Sequence, residues 1–239
     1  SDASFDYCLA DGDHRATFTA GSWSRECSWD VSVAGGVIAS FGAEDAVVID
    51  IMLKINPNFR FFTLGTGRLP QETYDIIEIV EKKYNISVEV LLPDTKEVEE
   101  MVKEKGLDLF YESVENRKLC CEIRKVHPMN KMLNTLDGWI TGLRRDQTKN
   151  REDVTIFQLD HGHGEILKIN PIIDWTWDQI QAYIKKNNLP YNSLLDKGFT
   201  SIGCEPCTRA IKPGEDLRAG RWWWEQDGNK ECGLHIDHK

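Results

Sequence analysis

Ser40-Phe41-Gly42-Ala43-Glu44-Asp45 stands between a β-prone run, Val31 to Ser40, and an apolar-rich stretch, Ala46 to Lys54, that reads as a helix ended by Asn56-Pro57. A strand that turns through glycine into a helix is the opening of an α/β unit. Backbone N–H groups at such a helix start attract phosphate or sulfate. The hexapeptide matches neither the Walker pattern nor Gly-x-Gly-x-x-Gly. Taken alone, it reads as an ordinary tight turn.

The same alternation continues outward. Arg60 to Leu64 is a short apolar strand, and Pro70 to Tyr84 is helical with Ile76, Ile77 and Val80 on one face. Ser87 to Leu92 reads as a strand, and Thr95 to Lys105 as a charged helix stopped by Gly106. Trp139 to Gly142 suggests a further strand, and Thr176 to Asn187 a helix opened by a Thr-x-x-Gln capping box. This order predicts an α/β fold with a parallel, doubly wound sheet and ligand at the carboxyl ends of its strands. Residues 1–30 mix Gly, Ser, Asp and Trp without a sustained period, and read as loop or appendage. Residues 31–210 form the expected domain, and 211–239 a loop-rich C-terminal tail.

Bulk composition narrows the function. The 239 residues are 41% hydrophobic and 28% charged, as in an ordinary globular protein. No apolar run is long enough for a membrane span, and no stretch reads as a secretory signal. The net charge of −10 argues against a nucleic-acid surface. An anionic substrate would need local cations and backbone amides to outweigh that field.

Seven cysteines are too irregular for a disulfide framework and point to a reducing, cytoplasmic setting. Cys120 and Cys121 are adjacent, while Cys204 and Cys207 form Cys-Glu-Pro-Cys. Four soft ligands in two pairs suit an iron–sulfur cluster, structural zinc, or free and disulfide thiols. Cys232 stands apart in Lys230-Glu231-Cys232-Gly233-Leu234-His235. Lys230 and His235 could lower its pKa, and thiolate is the nucleophilic form. A harmless terminal thiol is the plain alternative. Cys8 and Cys27 read as incidental.

Cations gather at predicted strand ends. Gly65-Thr66-Gly67-Arg68 follows one strand and Leu143-Arg144-Arg145-Asp146-Gln147 another, with Arg218 and Arg221 near the tail. The arginine fork suits phosphate and sulfate oxygens. Trp222, Trp223 and Trp224 cannot all face one core, so at least one should meet a ligand, a cluster or a partner. A hydrophobic lid is the bland alternative. His161-Gly162-His163-Gly164 has metal-like spacing but no third ligand nearby, and reads as a hairpin turn.

Together these motifs resemble the assimilatory adenylyl-sulfate and phosphoadenylyl-sulfate reductases, in their iron–sulfur, thioredoxin-dependent branch. The matching stretches are Ser40 to Asp45, Thr66 to Pro70 with Glu72 to Tyr74, Cys120-Cys121 with Arg124-Lys125, Gly142 to Gln147, Tyr191 to Leu194, Ser201 to Arg209, Gly220 to Trp224 and Glu231 to His235. The resemblance runs from about Val37 to His235. It implies an adenine nucleotide alpha hydrolase-like sheet whose phosphate loop is Ser40, Gly42, Ala43, Glu44 and Asp45. Thr66, Gly67 and Arg68 would contribute to binding, as would Gly142, Leu143, Arg144, Arg145 and Gln147. It implies one 4Fe-4S cluster on Cys120, Cys121, Cys204 and Cys207. Cys232 would attack the sulfur of the adenylylated sulfate, and thioredoxin or a similar dithiol would release sulfite. Lys125, Arg218, Arg221 and His235 would surround the transferring group.

Adenylyl sulfate is the expected substrate and its 3′-phosphorylated form the alternative. No nucleic-acid or membrane partner is expected, and a homo-oligomer is left open. Gly65 departs from the family, which usually has Asp there. Two rivals differ in class. An ATP pyrophosphatase would need a Ser-Gly-Gly-x-Asp-Ser-like loop, which Phe41, Ala43 and Glu44 do not fit. A non-catalytic metal module would leave Cys232 and the arginines unused.

Overall fold

The computed structural model of the protein describes residues 3–9, 12–19, 28–31, 35–148, 151–225 and 234. Its main element is a six-stranded sheet. The strands are β4 (Gly35–Ile38), β5 (Arg60–Leu64), β6 (Val88–Leu91), β7 (Gly138–Ile140), β8 (Phe157–Asp160) and β9 (Ile166–Ile169). Their spatial order is β6-β5-β4-β7-β9-β8. All neighbours pair in parallel except β8, which runs antiparallel to β9 at the edge. The expected parallel, doubly wound sheet is therefore present, with one antiparallel strand that the sequence reading did not include.

Helices cover both faces. They are α1 (Ala43–Ile55), α2 (Gln71–Tyr84), α3 (Thr95–Lys105), α4 (Val114–Cys121), α5 (His127–Leu133) and α6 (Trp177–Asn187). Period-two alternation along each strand sends neighbouring residues to opposite faces. Val37, Phe61 and Ile140 pack with Val47 and Val48 of α1, Ile76 and Val80 of α2, and Ile180 and Ile184 of α6. Ile38, Phe62 and Trp139 pack instead with Met129, Met132 and Leu133 of α5. Local signals end the helices as expected. The Thr176 hydroxyl accepts from the Gln179 N–H at 3.3 Å, and the Gln179 side chain accepts from the Thr176 N–H at 2.7 Å. Gly106, at φ 84°, closes α3.

The N-terminal reading needs correction. Ala3–Leu9 (β1), Gly12–Thr19 (β2) and Ser28–Val31 (β3) form a three-stranded antiparallel sheet rather than loop. The His161 to Gly164 turn is the β8–β9 hairpin loop, as read, and His163 lies 3.0 Å from Asp160 rather than in a metal shell. Among the described residues no helix is long and apolar enough to cross a membrane.

The chain order fixes where a ligand can sit. From β4 the sheet grows one way through β5 and β6, and the other way through β7 and β9. The loops leaving β4 and β7 stand at adjacent carboxyl ends where the growth of the sheet reverses, the place at which such a sheet opens a crevice. Residues 39–42 and 141–144 are those loops.

Candidate active site

A cleft lies at this switch point. Ser40, Gly42, Glu44 and Asp45 form one wall, and Gly142, Leu143, Arg144 and Gln147 the facing one. Thr66, Lys125, Ser201, Arg218, Arg221 and Leu234 complete it. The two walls are tied together. Arg144 donates to one oxygen of Glu44 from Nε at 3.0 Å and Nη2 at 2.9 Å, and Gln147 Nε2 donates to the same oxygen at 2.9 Å. Arg144 is almost fully buried, contacts Asp146, and lies over the Trp177 ring. Its charge serves the wall first and a ligand only through the wall's shape.

The phosphate-loop stretch is closed by Asp45. Its Oδ2 accepts from both the N–H and the hydroxyl of Ser40, each at 2.7 Å. Burial raises the Asp45 pKa to about 6, against the Ser40 hydrogen bonds that pull it down. Phe41 takes φ 59°, a left-handed conformation costly for a bulky residue, and its ring is buried in the core. Gly42 caps α1 with no side-chain hydrogen bond, so the first N–H groups of α1 lack a side-chain cap at the cleft. Gly142 must lack a side chain, because a Cβ there would come within 2.6 Å of Asp45 Oδ1.

Beside the cleft is a smaller cavity lined by Cys120, Cys121, Cys204 and Cys207. All four are buried free thiols. Arg68, Arg117, Arg124, Lys125, Arg221 and Trp222 share its wall. Lys125 and Arg221 line both chambers. A π-helical turn, Glu122–Val126, follows Cys121 directly and holds Arg124 and Lys125 buried. Cys120 and Cys207 are raised in pKa, Cys207 to about 11, chiefly by burial. Arg124 opposes the shift at Cys120, and Lys125 and Arg221 oppose it at Cys207.

The residues fit a thiolate-ligated cluster. The four thiols would supply an all-sulfur donor set, the neighbouring cations would offset its charge, and metal would displace the thiol protons. Two buried donors, Trp222 Nε1 and Arg124 Nε, have no hydrogen-bond partner in the protein and line this cavity. Thr66 Oγ1 lies 3.2 Å from Cys204 Sγ. Among the described residues no set of three or more His, Cys, Asp or Glu side chains closes on a position for one metal ion.

Not every expected residue faces the cleft. Ala43 is packed into the core. Gly67 takes φ 75° beside Arg124, and Arg68 turns to Asp108, the Leu107 carbonyl and the Phe110 ring. Arg145 pairs with Asp174 and the Val154 carbonyl. Cys232 and His235 lie outside the described residues. The tryptophans separate as their number required. Trp222 is buried at φ 43° between Arg117 and Arg221, each 4.5 Å from its ring. Trp223 is exposed, and Trp224 packs on Tyr111. Sequence reasoning missed Arg151, which lines the cleft, and Arg117. Arg151 lies four residues beyond Gln147, and that proximity was its only signal. Gly65 also has a local cause: a Cβ there would come within 2.6 Å of Val90 Cγ1 and 2.9 Å of Leu92 Cδ2.

Comparison with known proteins agrees with this geometry. Residues 36–210 match the family described as phosphoadenosine phosphosulfate reductase domain. The chain is 45% identical over 196 residues to adenosine 5′-phosphosulfate reductase of Allochromatium vinosum, covering 82% of this chain and 76% of that protein. It is 47% identical over 198 residues to the enzyme of the same name from Burkholderia cepacia, covering 83% and 79%. Among solved structures, phosphoadenylyl-sulfate reductase from Candida auris, a phosphate complex, aligns with TM-score 0.63 at 26% identity over 74% of this chain and 83% of that one. Candida glabrata FMN adenylyltransferase, at TM-score 0.52 and 15% identity over 80% of this chain and 64% of that one, shares the fold alone.

Proposed function

The chain belongs to the phosphoadenosine phosphosulfate reductase domain family, and on that premise we propose that it reduces adenylyl sulfate to sulfite and AMP in sulfate assimilation. The observation that carries this reading is the pair of joined chambers. A switch-point cleft bounded by a helix N-terminus and arginines shares Lys125 and Arg221 with a cavity of four free thiols.

The cleft takes the nucleotide. Ser40 to Asp45 and Gly142 to Gln147 shape its two walls, with Thr66, Gly67 and Arg68 setting the strand end beside them. Lys125, Arg218 and Arg221 hold the charge of the transferring sulfate and of the departing phosphate, a preorganised electrostatic role. Cys232 thiolate attacks the sulfate sulfur. The bond from that sulfur to the bridging phosphate oxygen breaks, and AMP departs with its electron pair. His235, three residues on, assists at the same centre. The product is Cys232–S–SO3⁻. A dithiol such as thioredoxin then attacks Cys232 Sγ and expels sulfite. Its second thiol closes a disulfide and restores Cys232, so the donor supplies both electrons.

Cys120 and Cys121 at the end of α4 and Cys204 and Cys207 would hold a 4Fe-4S cluster, which would supply fixed charge beside Lys125. The cytoplasm is the compartment that keeps such thiols reduced.

The test is direct. Cys232→Ser should abolish sulfite release while nucleotide binding persists. Wild-type protein given substrate without reductant should gain one SO3 on Cys232, read by intact mass. Unchanged turnover in the variant would remove the nucleophile assignment.

A further inference from the structure

Asn170 is the first residue beyond β9, fully buried, and is not among the described residues that line the cleft. Every polar atom it has is engaged. Its main chain donates to the Ile156 carbonyl at 2.7 Å and accepts from the Ile173 N–H at 3.2 Å. Its side-chain Nδ2 donates to the Thr155 carbonyl at 2.9 Å and to Gln158 Oε1 at 3.0 Å. A carbonyl can only accept, so Thr155 fixes which way the amide points and leaves Oδ1 facing β7. There the Thr141 hydroxyl donates to Oδ1 at 2.6 Å. Having spent its proton, that hydroxyl has only lone pairs left, and it accepts from the Leu143 N–H at 3.3 Å. Thr141 and Leu143 both line the cleft. The direction of two hydrogen bonds in the cleft wall is thus set by an amide outside it.

That wall has little slack. Gly142, between the two relayed residues, runs so close to the Ser40 to Asp45 loop that a Cβ would come within 2.6 Å of Asp45 Oδ1. Arg144, the residue after Leu143, reaches across to Glu44. The main chain beyond β9 backs the same loop. Thr141 N–H donates to the Ile169 carbonyl and Arg145 N–H to the Ile173 carbonyl, each at 2.9 Å. A shift in the turn from Thr141 to Leu143 is therefore felt at both walls.

Resting on the proposed reaction, we propose that Asn170 is a positioning residue for the nucleotide: through the Thr141 hydroxyl it orients the Leu143 N–H and so presets the cleft wall that receives the adenylyl group. The amide touches no substrate. It acts on binding alone, by holding the empty wall in the shape that the occupied one needs. The Thr155 and Gln158 contacts on its other side make the edge strand β8 part of that support.

The experiment uses the full chain with its iron, AMP as the binding probe and adenylyl sulfate as the substrate. Asn170→Ala should weaken AMP binding, read by calorimetry, by roughly three- to tenfold, the weight of one such hydrogen bond. KM for adenylyl sulfate should rise by a similar factor, with kcat falling less than twofold and iron content at the wild-type value. Thr141→Val, which keeps the shape and removes the hydroxyl, should lose as much affinity, and Thr141→Ser should recover it. In the Thr141→Val background Asn170→Ala should cost no further affinity, because the relay is already cut. A smaller loss of AMP affinity in Asn170→Ala, additive losses in the double variant, or a loss that falls on kcat or iron instead overturns the proposal. Should Asn170→Ala fail to fold, the Thr141 pair decides alone, and equal AMP affinity in Thr141→Val and Thr141→Ser overturns it. If wild-type protein binds no AMP, it is the proposed reaction that fails.

Discussion

Arg144 and Glu44, a hundred positions apart, meet through two hydrogen bonds to one carboxylate oxygen, and this contact clamps the loop after β7 to the first turn of α1. Both walls of the cleft hang on it. Glu44→Ala would leave the buried Arg144 guanidinium with Asp146 as its remaining carboxylate, and the lost charged hydrogen bonds should cost about 1.5–3 kcal/mol. Denaturant titration should record that loss, and calorimetry should show weaker nucleotide binding. Arg144→Lys should recover little, since an ammonium cannot reproduce the fork. Wild-type stability in Glu44→Ala would show that the clamp is dispensable.

Metal content tests the second chamber. Protein purified without oxygen should be brown and contain iron, and Cys204→Ser or Cys121→Ser should lose both colour and iron. Because a thiolate site couples metal binding to folding, the same variants should unfold at lower denaturant. A colourless wild-type protein holding one zinc would assign the thiols to a structural site instead.

Asp45 sets a pH dependence. Its folded pKa is raised from 3.8 to about 6, so the fold favours the protonated acid relative to the unfolded chain. The contribution of this group is most favourable below about pH 4. It declines between about 4 and 6, and above 6 the full penalty stands, roughly 3 kcal/mol. Asp45→Asn keeps an acceptor for Ser40 but removes the titration. The stability of Asp45→Asn relative to wild type should therefore rise from pH 4 to pH 6 and then level. A difference that stays flat over that range would place the Asp45 titration elsewhere.

Substrate choice is read by comparing two nucleotides. The relatives at 45% and 47% identity are adenosine 5′-phosphosulfate reductases, so the form without a 3′-phosphate should give the higher kcat/KM. Preference for the 3′-phosphorylated form would instead align this chain with the Candida auris enzyme.

What the sequence made legible follows from periodicity. Arg60–Leu64 and Thr95–Lys105 were read to the residue, and the Thr176 cap was read from its motif. Each is local: a strand run, a charged face with a glycine stop, a capping box. Residues 114–133 were not read as helices. There α4, the π turn and α5 bury Arg117, Cys121, Arg124 and Lys125 around the thiol cavity, so buried positions are polar and the apolar period vanishes. β8 and β9 carry buried polar residues, Asp160 and Lys168, which break the apolar pattern of a core strand. Lys125, Arg218 and Arg221, named by the resemblance, line the cleft, and pairing decided where the other cations point. Arg145 carries the same charge as Arg144 but is held away from the cleft by Asp174, and Arg68, paired with Asp108, lines the thiol cavity instead.

Val90 fills the space that a side chain at position 65 would need. Position 65 and its neighbours are therefore coupled. Val90 and Leu92 are themselves exposed, so a side chain at 65 must push both toward solvent, and shrinking either one should widen what position 65 accepts.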